Sequence, residues 1–325
     1  MAKFPSQRKI MYAGATVSNG SFAQTHLVNL PKDLSIMNRR GYGSTTNKGV
    51  PLVFRVAATV YPSDLAGSGY VTSVSSDVKS TVKFLGVQNN WVTKNAAVKW
   101  HAARNNMWKK AGVKKKDLGA YAGQIRYAWN AADNTFAAPV DGNGDAYTGG
   151  TWDLSTFVDM VDNEYKLALN RDGTDEDSAH SETAISFAYS YLSSRATVPE
   201  DSNLESSETP APFSHLVDLL SPTNLESGTE ESYIRVDAQT EQDNPPYEMF
   251  ATETTQHDIT EPCELVRLIM LPQGSGATLP QTIMLDIPFG IMEVQMAHRD
   301  PGDNSGITDD LALGLEVLDI FEMQG

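Results

Sequence analysis

Cysteine is almost missing: Cys263 stands alone in 325 residues. No disulfide within the chain can form, and its setting in the apolar run CELVRLIML reads as a buried, inert thiol. No apolar run approaches the roughly 20 residues that a membrane-spanning helix needs. The opening MAKFPSQRKIMYAGATV is basic but lacks the continuous apolar stretch of a secretory signal, so the expectation is synthesis and retention in the cytoplasm. The six histidines (His26, His101, His180, His215, His257, His298) occur singly, none at an i, i+4 metal spacing. No Gly-x-Ser-x-Gly elbow accompanies the many serines. With 41 acids, no carboxylate pair can be singled out for glycoside chemistry. The expectation is a protein that is not an enzyme. No repeat at a fixed period is present, which argues against propellers and solenoids.

Acids are scarce in one half only. Residues 1–130 hold 19 of the 25 Lys and Arg against Asp33, Asp64, Asp77 and Asp117, a net +15. The remaining six bases of residues 131–325 face 37 acids, a net −31. The overall −16 conceals this asymmetry, which points to an electrostatic partner or to self-complementary assembly.

The basic half is organised around Asn89–Lys116, NNWVTKNAAVKWHAARNNMWKKAGVKKK. Asn89 or Asn90 offers a side-chain acceptor to cap a helix, and Gly112 offers the left-handed residue that ends one. At helical spacing Val92, Ala96, Trp100, Ala103, Met107, Trp108 and Ala111 share a face suited to packing on a sheet. Lys109, Lys110, Lys114, Lys115 and Lys116 crowd the C-terminal end. The helix dipole favours cations there, but packing gives no reason to gather five. With Arg39 and Arg40 they are the candidate contacts to nucleic acid or to neighbouring subunits.

Strand patterns fill the rest. Ile10–Val17 and Phe22–Leu30, separated by Ser-Asn-Gly, read as a hairpin. Pro31–Gly49 reads as a polar loop. Its Gly41-x-Gly43 and Lys48 lead into a strand, not a helix, so it is no phosphate cradle. Val50–Tyr61, Val71–Phe84 and Ala120–Trp129 read as strands, and alternation of Phe187, Tyr189 and Tyr191 favours another within Thr183–Val198. Three apolar segments close the chain: CELVRLIMLP, QTIMLDIPFGIMEVQM and LALGLEVLDIFEM. Between them and the strands before lies the acidic, Ser- and Pro-rich stretch Pro199–Pro212, read as a loop or linker. The organisation expected is a β-rich part over 1–198, this linker over 199–212, and a C-terminal part over 213–325 completing the same core. A short helix is expected over Ser214–Leu220.

No cofactor is expected; calcium is the one candidate. Asp141, Asn143 and Asp145 alternate as at the start of a calcium loop, but Ala146 and Trp152 stand where an EF-hand needs Gly and Glu. A surface turn is the preferred reading. Asp172–Asp177 and Asp300–Asp310 are weaker candidates of the same kind.

About a dozen strands with one long inserted amphipathic helix indicate a mainly β protein, a β-sandwich of jelly-roll type, with a double jelly roll as the alternative. In layout, the strand Val50–Tyr61, the helix Asn89–Ala111 and the three C-terminal strands resemble jelly-roll capsid proteins of non-tailed icosahedral viruses. The resemblance implies a structural protein that assembles with copies of itself around viral nucleic acid and resides in the virion. The chain departs from many such proteins in lacking a long Arg-rich N-terminal arm, which leaves Lys109–Lys116 as the substitute. Two other classes compete: a β-sandwich attachment or carbohydrate-binding module with acidic, calcium-holding loops, and a secreted-type β hydrolase. The hydrolase lacks both signal and site.

Overall fold

The computed structural model describes residues 5–17, 23–63, 79–114, 119, 123–130, 134–158, 164–170, 180–181, 184–188, 190–191, 263–270, 280–299 and 309–324. The protein is mainly β. Eight long strands form an antiparallel sandwich: β1 (Lys9–Val17), β2 (Ala23–Asn29), β3 (Leu52–Ser63), β4 (Lys79–Gly86), β10 (Cys263–Met270), β11 (Gln281–Pro288), β12 (Ile291–Arg299) and β13 (Asp309–Glu322). Between β4 and β10 lie the short strands β5 (Pro139–Val140), β6 (Thr156–Val158), β7 (Glu164–Ala168), β8 (His180–Ser181) and β9 (Ala184–Ser186). Helix α1 spans Leu30–Asn38 and helix α2 spans Trp91–Lys110.

One sheet runs β11-β3-β13-β1-β5, the second β10-β4-β12-β2, and a smaller third β6-β7-β9-β8. The pairings of the eight long strands are nested. β1 pairs with β13, β2 with β12, β3 with β11 and β4 with β10, all antiparallel. Two further ladders, β13–β3 and β12–β4, join these pairs side by side. The arrangement is that of one long hairpin rolled into two sheets, with everything from Val87 to Pro262 inserted at its tip. Strands from the C-terminal part thus complete sheets begun by the N-terminal part.

Period-two alternation explains how the strands feed two cores. Phe54, Val56, Ala58 and Val60 of β3 meet Val82 and Phe84 of β4 and Leu313, Leu315 and Val317 of β13 between the sheets. On β12, Met292, Val294 and Met296 point into this core, while Ile291 belongs to a second one. On β2, Val28 and Leu27 divide in the same way. The second core gathers α2 through Val92, Ala96, Trp100 and Ala103, the third sheet through Phe157, Leu167 and Ile185, and the aromatics Trp129, Phe187 and Phe289. β12 is therefore buried on both faces.

Several sequence expectations need correction. β1 and β2 do not form a hairpin; each belongs to a different sheet and takes its partner from the C-terminal strands. Pro31–Gly49 is not wholly loop, because α1 occupies its start. Asn29 Oδ1 accepts from the Lys32 N–H, and Pro31 sits in the first turn, where its missing N–H costs nothing. Among the described residues of Ala120–Trp129 there is only an isolated bridge, Ala128 to Ala168, although Ile125, Tyr127 and Trp129 are buried. After β9 the backbone turns helical at Phe187, Ala188, Ser190 and Tyr191, so that strand ends sooner than alternation suggests. Cys263 is half-buried, not enclosed. QTIMLDIPFGIMEVQM is two strands, β11 and β12, placed in opposite sheets by the link Phe289–Gly290. Both link residues have positive φ (59° and 68°). The Phe289 N–H donates to Leu52 O, and Gly290 O accepts from the Leu30 N–H, so the bend is tied to β3 and α1. The linker 199–212, the helix expected at Ser214–Leu220 and the acidic loop Asp172–Asp177 lie outside the described residues, as does most of Asp300–Asp310.

Candidate nucleic-acid interface

Helix α2 forms largely as its sequence dictates. Asn90 caps it, accepting from Thr93 N at 2.9 Å. Its end is a Schellman turn: Gly112 has φ 73°, its N–H reaches Lys109 O, and the Val113 N–H reaches Trp108 O. Trp100 is buried, donates its indole N–H to Phe187 O at 3.0 Å and meets the Phe157 ring edge-on at 5.2 Å. Trp108, on the same predicted face, is only half-buried. The Arg104 guanidinium lies over it, 4.5 Å from the ring centroid. Lys109, Lys110 and Lys114 are exposed at this end of the helix, and Lys115 and Lys116 lie outside the described residues.

The segment after α1 packs against α2 and its exit. Arg39 ends α1 in the left-handed region (φ 50°), and the Arg40 and Tyr42 N–H groups bond to the backbone oxygen and Oγ of Ser35. Two glycines allow the approach. A Cβ on Gly43 would overlap the Gln124 amide, and one on Gly49, already at φ 83°, would sit 2.5 Å from His101 Cβ. Gln124 is held in turn, its carbonyl accepting from Arg104 Nη1 at 2.7 Å. The next strip is stitched to residues 153–155: the Arg126 N–H donates to Ser155 Oγ, the Ser155 N–H to Arg126 O, and Arg126 Nη1 to Asp153 O. The Arg126 guanidinium lies 4.5 Å from the centroid of Trp152.

These contacts leave a two-lobed cleft. One lobe, about 440 Å³, is lined by Lys32, Arg39, Arg40, Tyr42, Arg126 and Trp152 among others. The other, about 470 Å³, is lined by Arg104, Trp108, Arg126 and Asp153 among others, and Gln124 and Arg126 are common to both. Among the described residues the lining carries five cationic side chains and one acid, Asp153. Arg39 and Arg40 are exposed and have no ion-pair partner among the described residues. Burial lowers the pKa of Arg104 from its ordinary value, but a guanidinium stays protonated at any physiological pH. Lys32 is committed elsewhere: its ammonium lies 3.7 Å from the buried Asp33 carboxylate and 3.2 Å from Ala137 O.

Of the residues singled out in the sequence, Arg39 and Arg40 therefore enter the cleft wall, and Lys109 and Lys110 directly follow Trp108. Arg104, Arg126, Trp152 and Gln124 were missed. The one signal available was aromatic–arginine alternation (Arg126-Tyr127, and Arg104 four residues before Trp108), which does not reveal which surface it lines. Asp141, Asn143 and Asp145 form a turn in which Asp141 Oδ1 accepts from the N–H groups of Asn143 and Asp145. Among the described residues no three His, Cys, Asp or Glu side chains converge as a metal site would require. None of the helices described is long and apolar enough to cross a membrane.

The chain matches no protein-family model, no curated protein and no solved structure.

Proposed function

We propose that this chain is the coat protein of a non-tailed icosahedral virus. It is a jelly roll that assembles with copies of itself into a shell around the genome, and its place is the virion. The observation that carries this reading is the nested pairing of the eight long strands, first with last and second with last but one, in two four-strand sets. Such a rolled hairpin is the connectivity of jelly-roll capsid and lectin domains. The β4–β10 connection, which carries α2, the third sheet and one wall of the arginine cleft, supports the reading further. A sandwich with so elaborated a connection suits a building block that meets neighbours through its insertions.

Charge separates the coat protein from the lectin-like alternative. A basic half of +15 and an acidic half of −31 give opposite charges to place against a polyanion, against another subunit and against solvent. Negative-stain microscopy of the purified protein tests the proposal. Closed shells or regular arrays are expected, and protein that stays monomeric at high concentration across salt and pH refutes it.

A further inference from the structure

We infer that the cleft between the α1 exit and the end of α2 is a site for single-stranded nucleic acid. Arg39 and Arg40 take phosphates, and the Arg104–Trp108 and Arg126–Trp152 layers take bases. The inference rests on the coat-protein reading only for the source of the polymer; the chemistry of the cleft stands by itself.

Two observations lead to this ligand. The first is charge: Lys32 is spent on Asp33 and Ala137 O, yet among the described lining residues four arginines remain against one acid, Asp153. Two of them, Arg39 and Arg40, are exposed without an ion pair among the described residues, as phosphate-binding side chains are before a ligand arrives. The second is flatness. Each of the other two guanidiniums lies over an indole at 4.5 Å, so the wall holds two planar layers of cation on ring. Nucleobases stack on aromatic and guanidinium planes alike, and every base has a π-face to offer.

Size and shape select the strand form. Each lobe, at about 440 and 470 Å³, is on the scale of a nucleotide. A duplex keeps its bases stacked inside and would present only its backbone to such lobes. An acidic polypeptide would pair with the arginines but leave the indole layers unused.

Fluorescence anisotropy with the full-length protein tests the site, using labelled oligothymidylate, the matching abasic oligomer and poly-glutamate. Oligothymidylate is expected to bind most tightly, with the abasic strand at least about tenfold weaker because stacking is worth ~1–3 kcal/mol per base. Arg39→Gln with Arg40→Gln, both exposed, is expected to weaken binding about tenfold or more. It should also flatten the log–log salt slope by about 1.4, since each phosphate neutralised on a single strand contributes ~0.7 and two would go unneutralised. Arg126→Gln should narrow the gap between normal and abasic strands. Equal affinity for the abasic strand or for poly-glutamate, or an unchanged double variant, overturns the site. Particle formation, scored separately by microscopy, reports on the coat-protein reading: shells with no oligonucleotide preference sink the cleft alone, and binding by protein that never assembles sinks the shell alone.

Discussion

Asp33 sits in the first turn of α1, fully buried, and its protonation should write itself into the stability of the whole sandwich. Tyr12 donates its hydroxyl to Asp33 Oδ2 at 2.5 Å, and Lys32 lies 3.7 Å from Oδ1, which has no hydrogen-bond partner among the described residues. Burial raises the Asp33 pKa from 3.8 to about 6, outweighing the opposing pull of Lys32 and of the hydrogen bonds. The folded state therefore holds this proton more tightly than the unfolded chain between about pH 4 and pH 6. Stability from this group is complete below the unfolded value and is lost as pH rises through the folded one. At 1.36 kcal/mol per unit, a shift of about two units costs about 3 kcal/mol at pH 7 relative to pH 4. Asn in this position can accept from Tyr12 without carrying charge. Asp33→Asn should thus gain on the wild type as pH rises from 4 to 7, by about 2–3 kcal/mol, because the folded pKa of about 6 already includes the pull of Lys32. Urea unfolding of both proteins across this range measures the difference, and the titrations of all other acids cancel. A difference that stays flat from pH 4 to pH 7, or one that moves against the variant, refutes the reasoning.

Other expectations follow from packing and charge. Trp100→Ala should cost about 3–5 kcal/mol in urea unfolding, since the indole is buried and bonded to Phe187 O, whereas Trp108→Ala on the half-buried side should cost about 1. Equal losses would mean that Trp108 is core. Gly290→Ala meets both a positive φ of 68° and a Cβ position 2.7 Å from Pro31 Cδ, so a loss of about 2–5 kcal/mol in thermal or urea stability is expected. A neutral effect would show that the β11–β12 link tolerates a side chain. High monovalent salt should weaken subunit association at neutral pH, because screening shortens from ~10 Å at 0.1 M to ~3 Å at 1 M. Light scattering that shows the same particle size throughout would rule out an electrostatic contact between the two halves.

Much of the local structure was legible because its causes are local. Asn90 and Gly112 announced the ends of α2, and both do the work expected. In β13, Leu313, Leu315 and Val317 alternate into the core, and the phase changes after them because Leu318 is an extra residue between the pairs Val317–Val56 and Asp319–Arg55, a bulge. α1 was hidden because Pro31 and Asp33 look like loop residues. Proline is tolerated in a first turn, and Asp33 is buried by a tyrosine 21 residues away. The β11–β12 link was hidden because a buried Phe289 at positive φ is not a turn signal. It is held there by ring contacts to Tyr127 at 4.8 Å and Phe187 at 5.5 Å, which come from a distant part of the chain.

The sequence by itself determined the β-rich class, the long capped helix and the split of charge between the two halves. Each follows from residue type and from spacing within one or two turns or strands. Only the tertiary structure decided that β1 pairs with β13 instead of with β2, because a strand chooses the edge that buries its apolar face, and periodicity is silent about which edge that is. It alone decided the cleft as well. Residues 39–42, 104–108, 124–126 and 150–153 line one surface because Gly43 lets the chain close on Gln124 and Gly49 lets it close on His101 of α2. Side chains so far apart in the chain share a wall through packing, and no pattern within any one of the four segments encodes it.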